Sequence, residues 1–332
     1  MNRIKYIDSI KGFAAVCVVL GHVLYGYWNS GAGGRVHYAL LNALYAFHMP
    51  LFFTVSGFLF AQAYVADGRV KKEKIKAQLI NLACVYVLFS LLLGVSKMLF
   101  SRYVNTQVAA TDLALIPVKP IGLYWYLFVL MINYLVFSRE TVLRQKPAAV
   151  LTAAFVLGAV SSWIPEYLIF DVKRVCYYFL FFYLGIVLNK RSGILKKRYI
   201  LFGSLPCVIL LYVLFWSPTR QLNSVPLVNQ ALGILCTLLV FCAFQQFKIL
   251  GENRLLVWIG RYALEIYLLH TFFLTACRPL FQRMNIDSLA VILAVSTVLG
   301  VLLPIAVSVL CKKIGVYGFL FSPYKSRRGR SR

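Results

Sequence analysis

The chain alternates between long apolar runs and short polar segments. A helix that crosses a membrane needs about 20 mostly apolar residues. By that standard we predict ten spans, near residues 12–28, 40–64, 78–98, 121–138, 148–164, 174–189, 200–216, 228–247, 257–277 and 288–311. The pattern therefore predicts an all-α fold, a polytopic transmembrane helical bundle that forms one domain over residues 1–332 and contains no internal repeat.

Composition supports a membrane protein. The chain is 61% hydrophobic and only 14% charged, whereas soluble domains average about 25% charged residues. A soluble fold of this size could not bury so much apolar surface. The basic start, apolar run and glycine-rich segment at the N-terminus resemble a signal peptide, but the many spans that follow favour an uncleaved first span.

The basic residues indicate an orientation. The net charge is +25, and 26 of the 35 lysine and arginine residues fall in alternate polar segments that begin with the N-terminal one. Because cytoplasmic loops carry the excess of Lys and Arg, both termini are predicted to be cytoplasmic. The short clusters and the basic tail, residues 312–332, suit anionic lipid headgroups better than nucleic acid.

Three of the four histidines lie inside predicted spans. His22, His48 and His270 each sit roughly ten residues from a predicted span end, which is near the middle of the hydrocarbon core. Ionisable residues at that depth usually face the bundle interior and often mark functional sites. Each one could instead be a neutral histidine that hydrogen-bonds across helices. Three histidines at one depth favour a shared site.

Lys11 lies on the same face of the first span as His22. Eleven residues at 100° each bring them back into line, about 16 Å apart along the axis. A cation at the cytoplasmic mouth with an imidazole midway suits a ligand whose charged end lies inside. The alternative is that Asp8 or Ser9 caps the helix while Lys11 extends to the lipid headgroups.

Other polar residues are more ambiguous. Glu265 follows Arg261 by four residues, so the two could form an ion pair at the membrane edge. Glu265 could also line a site, although it lies about 140° around the helix from His270. Arg174 and Trp125 lie near predicted span ends, where aromatic residues commonly act as interfacial anchors.

Small and sulfur-containing residues favour packing roles. Ser56-Gly57 could contain a nucleophile, but nothing like G-x-S-x-G surrounds it, and close helix approach explains it better. The eight cysteines are scattered singly without a Cys-x-x-Cys pair. They support no zinc or redox site, so we predict no metal.

Four motifs together carry a family resemblance. They are "YIDSIKGFAAVCVVLGH", "FHMPLFFTVSGFLF", "LYWYLFVL" and "RYALEIYLLH". In this order, over most of the chain, they resemble the acyltransferase 3 family of integral membrane proteins, especially its sugar O-acetylase branch, similar to fucose 4-O-acetylase. Lys11 occupies a position that is often arginine in that family.

The resemblance implies a reaction and a location. It implies transfer of an acyl group, usually acetyl from cytoplasmic acetyl-CoA, to a sugar hydroxyl of a surface polysaccharide or a lipid-linked glycan precursor. The protein would be a multi-pass protein of a bacterial plasma membrane. His22 would act as the base or carry the acyl group transiently, which suits an imidazole at neutral pH.

We expect three groups of site residues. The catalytic group is His22, His48 and Glu265; the group that contacts CoA is Lys11, Arg69 and Arg261; the group that contacts the acceptor is Trp125, Arg174 and His270.

Two other classes remain open. A transporter or flippase of a glycan or lipid precursor would also place polar residues at the membrane midplane, although repeats and buried carboxylates for ion coupling are lacking. A different membrane-bound acyltransferase fold would also use a buried histidine.

Overall fold

The described chain is almost entirely helical. The computed structural model describes residues 4–28, 34–66, 68–99, 107–165, 169–215, 226–286 and 288–324. The helices are α1 (Lys5–Trp28), α2 (Arg35–Tyr64), α3 (Lys72–Leu99), α4 (Ala110–Ala114), α5 (Trp125–Phe137), α6 (Glu140–Leu143), α7 (Pro147–Val160), α8 (Val172–Lys190), α9 (Arg198–Phe215), α10 (Pro226–Gln246), α11 (Lys248–Gly251), α12 (Arg254–Gly260), α13 (Ala263–Arg283), α14 (Leu289–Lys313) and α15 (Tyr317–Phe321).

Shorter elements connect the helices. Two two-residue strands, β1 (Val65–Ala66) and β2 (Arg69–Val70), pair antiparallel as a hairpin between α2 and α3. Single 3₁₀ turns occupy Gly122–Tyr124, Ser161–Trp163, Ile169–Asp171 and Ser192–Lys196.

Membrane-length helices are present. Within the described residues, five helical segments are long and apolar enough to cross a membrane: Lys5–Trp28, Val36–Tyr64, Lys72–Leu99, Pro226–Gln246 and Leu289–Lys313. Shorter apolar helical segments cover Gly122–Phe137, Pro147–Trp163 and Arg198–Leu214. The expectation of an all-α membrane protein is therefore confirmed, and the ten crossings stay a prediction.

The span predicted at residues 257–277 is divided into two helices. Helix α12 ends at Gly260 and α13 begins at Ala263. Between them, the backbone N–H groups of Arg261 and Tyr262 donate to carbonyls only three residues back, at 3.2 and 2.9 Å. This tightening ends the regular α-helical ladder, so the expectation of one continuous helix is wrong here.

The chain divides into two compact units. The first unit contains Met1–Leu59 and Phe181–Ile305, and the second contains Phe60–Leu180 and Ala306–Arg332. The unit boundaries fall inside α2, α8 and α14. That the chain functions as one domain stays a prediction.

In the first unit, α1 and α12 meet backbone to backbone. A Cβ atom added to Gly12 would overlap the carbonyl oxygen of Leu256, and one added to Gly260 would overlap the carbonyl oxygen of Asp8. Small residues at these positions permit such an approach between apolar helices. The contact fixes the height of α12 against the first turns of α1.

A second glycine contact in the same unit joins α2 and α8. A Cβ on Gly57 would overlap the carbonyl oxygen of Phe182, and one on Gly185 would overlap that of Thr54. The prediction that Gly57 serves close helix approach is therefore confirmed.

Three segments predicted to face the cytoplasm lie at one end of the first unit. The Ser9 hydroxyl donates to the carbonyl of Gly251 at 3.0 Å. The Gln246 side-chain amide donates to the carbonyl of Leu195 at 2.9 Å. The N-terminal segment and the segments after α8 and α10 thus lie at the same end of the unit, and that this end faces the cytoplasm stays a prediction.

The second unit packs around α3. The Tyr86 hydroxyl donates to the carbonyl of Ile116 at 2.6 Å, and the Phe89 ring packs against the rings of Tyr124 and Phe321. These contacts hold α15 and the segments before α5 against α3.

Candidate active site

The N-terminal end of α1 carries a partly buried ion pair. Lys11 Nζ lies 3.2 Å from Asp8 Oδ1, and the Lys11 side chain is 25% exposed. Because α1 begins at Lys5, Asp8 lies within the first turn, where a carboxylate favourably meets the helix dipole. The expectation that Asp8 or Ser9 caps the helix is wrong, since the helix starts several residues earlier.

His22 of α1 and His270 of α13 are in contact. Their ring centroids lie 5.0 Å apart with an interplanar angle of 50°. His270 is 0% exposed. The two helices therefore bring together two residues that the sequence placed at a similar depth.

The proton on the His270 ring can be assigned from its partners. Nδ1 lies 2.8 Å from the carbonyl oxygen of Ile266 and 3.0 Å from that of Tyr267. A carbonyl oxygen only accepts hydrogen bonds, so Nδ1 carries the hydrogen and Nε2 carries a lone pair. Nε2 is buried and has no hydrogen-bond partner among the described residues.

His48 of α2 adopts the same tautomer. Its Nδ1 lies 2.6 Å from the carbonyl oxygen of Leu44, so its Nε2 also carries a lone pair. The Tyr45 ring meets the His48 ring edge-on at 4.9 Å. Tyr45 also packs against α1 beside His22, since a Cβ atom added to Gly21 would lie 3.3 Å from the Tyr45 ring.

We call His22, His48 and His270 the histidine cluster. The three come from α1, α2 and α13 of the first unit. The structure thus brings together three residues that the sequence placed at one depth. Such a group of neutral imidazoles in an apolar setting can accept a proton or act as a nucleophile.

Arg261 and Glu265 flank the break before α13. Arg261 is exposed in the break, and Glu265 is 3% exposed in the first turn of α13. The ion pair between these two residues that the sequence suggested stays a prediction.

In the second unit, Trp125 and Arg174 are in contact. The Arg174 guanidinium carbon lies 4.9 Å from the Trp125 ring centroid, and the Tyr178 ring stacks on Trp125 at 5.1 Å. Arg174 Nη1 also lies 2.9 Å from Asp171 Oδ2. We call Trp125, Asp171, Arg174 and Tyr178 the Arg–Trp cluster.

Sequence reasoning missed two members of the Arg–Trp cluster. Asp171 and Tyr178 lie three residues before and four residues after Arg174, which is the spacing of neighbours on a helix surface. That spacing could have identified them. The segment before α8 is anchored by the Phe170 N–H, which donates to the Val118 carbonyl at 2.7 Å.

The remaining predicted residue, Arg69, lies on β2 in the second unit and is exposed. Its predicted contact with CoA stays a prediction. Within the described part of the chain, no group of His, Cys, Asp and Glu side chains is placed to hold a metal ion.

Comparison with known proteins gives one family. The family described as an acyltransferase domain (acyltransferase 3) matches residues 4–312. No solved structure matches.

Two curated proteins, each named "Nodulation protein NolL", are similar to this chain. The one from Sinorhizobium fredii is 23% identical over 257 residues, which cover 72% of this chain and 65% of that protein. The one from Mesorhizobium japonicum is 23% identical over 159 residues, which cover 48% of this chain and 41% of that protein. The chain therefore spans less than two thirds of the length of the curated relatives it matches.

Proposed function

The chain belongs to the acyltransferase 3 family, and from that premise we propose that it transfers an acetyl group from cytoplasmic acetyl-CoA to a carbohydrate hydroxyl. The acceptor is a cell-surface polysaccharide or a lipid-linked glycan precursor, and the enzyme is a multi-pass protein of a bacterial plasma membrane with cytoplasmic termini. The observation that supports this most directly is the histidine cluster, because an alcohol needs a base near its oxygen to attack a thioester.

In the proposed reaction His22 removes the proton from the acceptor hydroxyl. The hydroxyl oxygen forms a bond to the thioester carbonyl carbon, the carbon–sulfur bond breaks, and the proton passes from His22 to the departing thiolate of CoA. In a two-step version His22 first carries the acetyl group itself and then releases it to the acceptor. His48 supplies a second lone pair near His22, and Glu265, buried in the first turn of α13, completes the proposed catalytic group.

Basic residues of the predicted cytoplasmic segments would meet the phosphates of CoA. Lys11 and Arg261 have this role in the first unit, where the α1–α12 glycine contact holds their segments together. Arg69 has it in the second unit. In the same unit the Arg–Trp cluster contacts the carbohydrate, since a ring face and exposed hydrogen-bond donors suit a sugar.

Incubation of the purified protein in lipid with acetyl-CoA labelled in the acetyl group tests the proposal. We expect label on a deacetylated carbohydrate acceptor, and no label when His22→Ala replaces the wild type. Unlabelled carbohydrate and unlabelled protein, with intact acetyl-CoA, would overturn the proposal.

A transporter or flippase is the second candidate, because the break between α12 and α13 resembles the interrupted helices of transporters. The same reaction discriminates the two. A carrier moves the glycan across a vesicle membrane without consuming acetyl-CoA, whereas the proposed enzyme consumes one acetyl-CoA for each acetyl group transferred.

A further inference from the structure

Two members of the histidine cluster have their protons fixed by the backbone, and the third does not. His48 and His270 each donate from Nδ1 to a carbonyl four residues earlier in their own helix. In the described part of the chain no backbone carbonyl fixes the proton of His22. A neutral imidazole has one N–H and one lone pair, so the neighbours of His22 decide which nitrogen carries the hydrogen.

The Nε2 atom of His270 is buried without a hydrogen-bond partner among the described residues. Buried polar atoms without a partner are rare in folded proteins and call for an explanation. This atom can only accept, because the hydrogen of His270 is already committed to Ile266 and Tyr267. The His270 ring packs against the His22 ring, with centroids 5.0 Å apart, and a neutral His22 has one N–H to give.

We propose that His270 is a positioning residue for His22: its Nε2, which makes no hydrogen bond in this structure, accepts the ring N–H of His22 once the acceptor binds, as catalytic hydrogen bonds often tighten only in the substrate complex, and so directs the lone pair of the other His22 nitrogen to the acceptor hydroxyl. This inference rests on the proposed function, in which His22 is the base. It gives His270 the role that a third group plays in a nucleophile–base–orienter arrangement. His48 is the weaker candidate for this role, because its ring contact is with Tyr45.

The sequence predicts instead that His270 contacts the acceptor. The two roles differ kinetically. Loss of a binding contact raises the acceptor KM, whereas loss of the residue that orients the base lowers kcat. A variant that keeps an acceptor atom should restore the positioning role.

Steady-state rates with donor and acceptor varied separately make the test. His270→Leu removes the accepting atom at similar volume, and we expect kcat to fall about 10²-fold, the lower end of the range for general-base loss, with the acceptor KM nearly unchanged. His270→Gln carries a side-chain oxygen that can replace Nε2, and we expect it to recover most of kcat. The membrane content of each variant is measured alongside, so rates refer to folded protein.

His37 provides a matched control. It is also buried in the first unit, and its Nε2 donates to the carbonyl of Leu24 at 2.7 Å, but it is not a member of the histidine cluster. His37→Leu should retain kcat per folded molecule.

A double variant separates the two proposals. If His270 acts through His22, adding His270→Leu to His22→Ala should cost nothing further, because residues that act as a unit are not additive. A further large loss, a rise in acceptor KM alone, or wild-type kcat in His270→Leu would each overturn the positioning role. Full activity of His22→Ala would instead overturn the proposed base itself.

Discussion

The histidine cluster and the Arg–Trp cluster fix their side chains by opposite means. In the first, His48 and His270 are buried, and each donates from Nδ1 to a carbonyl of its own helix. In the second, the Arg174 side chain is 46% exposed, and an ion pair and a stacked ring hold it. A base needs a lone pair free of competing water, whereas recognition of a sugar needs exposed donors and a ring face. The difference fits the proposal that chemistry and acceptor recognition belong to separate sets of residues.

The largest expected effect comes from the histidine cluster. His22→Ala should lower kcat by about 10²–10⁴-fold, because it removes the proposed base, while the protein level in the membrane stays near normal. The measurement is transfer of labelled acetyl groups per unit of folded protein. His37→Ala serves as the control and should keep its kcat.

Near-wild-type turnover of His22→Ala would contradict the role of His22 as the base, and with it the chemical role given to the histidine cluster. His48, whose Nε2 also carries a lone pair, would then be the residue to test as the base.

A smaller effect is expected at the Asp8–Lys11 pair. Lys11→Gln should raise the KM for acetyl-CoA by roughly tenfold, equal to about 1.4 kcal/mol, with kcat little changed, because a contact to the CoA phosphates is made equally before and during the reaction. Lys11→Arg keeps the charge and should be tolerated. Initial rates in inverted vesicles, with the donor concentration varied, make the measurement.

A control for Lys11→Gln tests whether the loss of its ion-pair partner, Asp8, explains the effect. Lys11→Gln leaves the Asp8 carboxylate without its cation, so Asp8→Asn with Lys11→Gln removes that complication. If the double variant regains the wild-type KM for acetyl-CoA, the defect came from Asp8 and Lys11 does not bind the donor. An effect on acceptor use alone would also contradict the role.

The Arg–Trp cluster should show a still smaller effect on the other substrate. Trp125→Ala should raise the acceptor KM about fivefold, since an aromatic ring contact contributes about 0.5–1.5 kcal/mol, and leave the KM for acetyl-CoA unchanged. Trp163 lies in the same unit outside the cluster and is 81% exposed, so Trp163→Ala is the matched control. Equal effects of the two variants would show that Trp125 acts as an ordinary interfacial anchor.

The smallest effect is expected outside both clusters. The Val70 N–H donates to Glu140 at 3.1 Å, and this bond, with a contribution from Arg144, lowers the pKa of the Glu140 carboxyl group. A lowered pKa in the folded state stabilises the fold above the ordinary carboxyl pKa, and the gain is lost as pH falls through the lowered value. We expect Glu140→Gln to lower the unfolding temperature slightly at neutral pH, and the difference from wild type to vanish in acid.

The rate of acetyl transfer provides the control for Glu140→Gln. Because this residue touches neither cluster, the rate per folded molecule should be the same in Glu140→Gln and wild type at neutral pH. A difference in unfolding temperature that persists in acid would assign the effect to packing rather than to charge.

The sequence predicted the residues of the histidine cluster better than their chemistry. Depth in three apolar runs was enough to group His22, His48 and His270. Their tautomers depend on which carbonyls face each ring after folding, and no sequence pattern contains that. Trp125 and Arg174 were each identified by their place near a span end, but hydropathy cannot show that two residues so far apart in the chain touch.

The break at Arg261 was missed for a related reason. Gly260 lies in an apolar run that reads as part of a single span, and a lone glycine does not end such a run. Its role becomes visible only when α12 lies against Asp8 and Gly12 of α1. Apolar length therefore predicts where helices are found, while backbone contacts decide where they stop.

The contact between Gly12 and Gly260 fixes a common height from which the positions of His22 and His270 can both be counted. His22 follows Gly12 by ten positions along α1. His270 likewise follows Gly260 by ten positions, from the end of α12 into α13. Equal counts from a shared starting point bring the two imidazoles to one height. One inserted residue on either side would turn its ring by about 100° and displace it by about 1.5 Å. The spacing of each histidine from its glycine is thus as much a determinant of the site as the histidine itself.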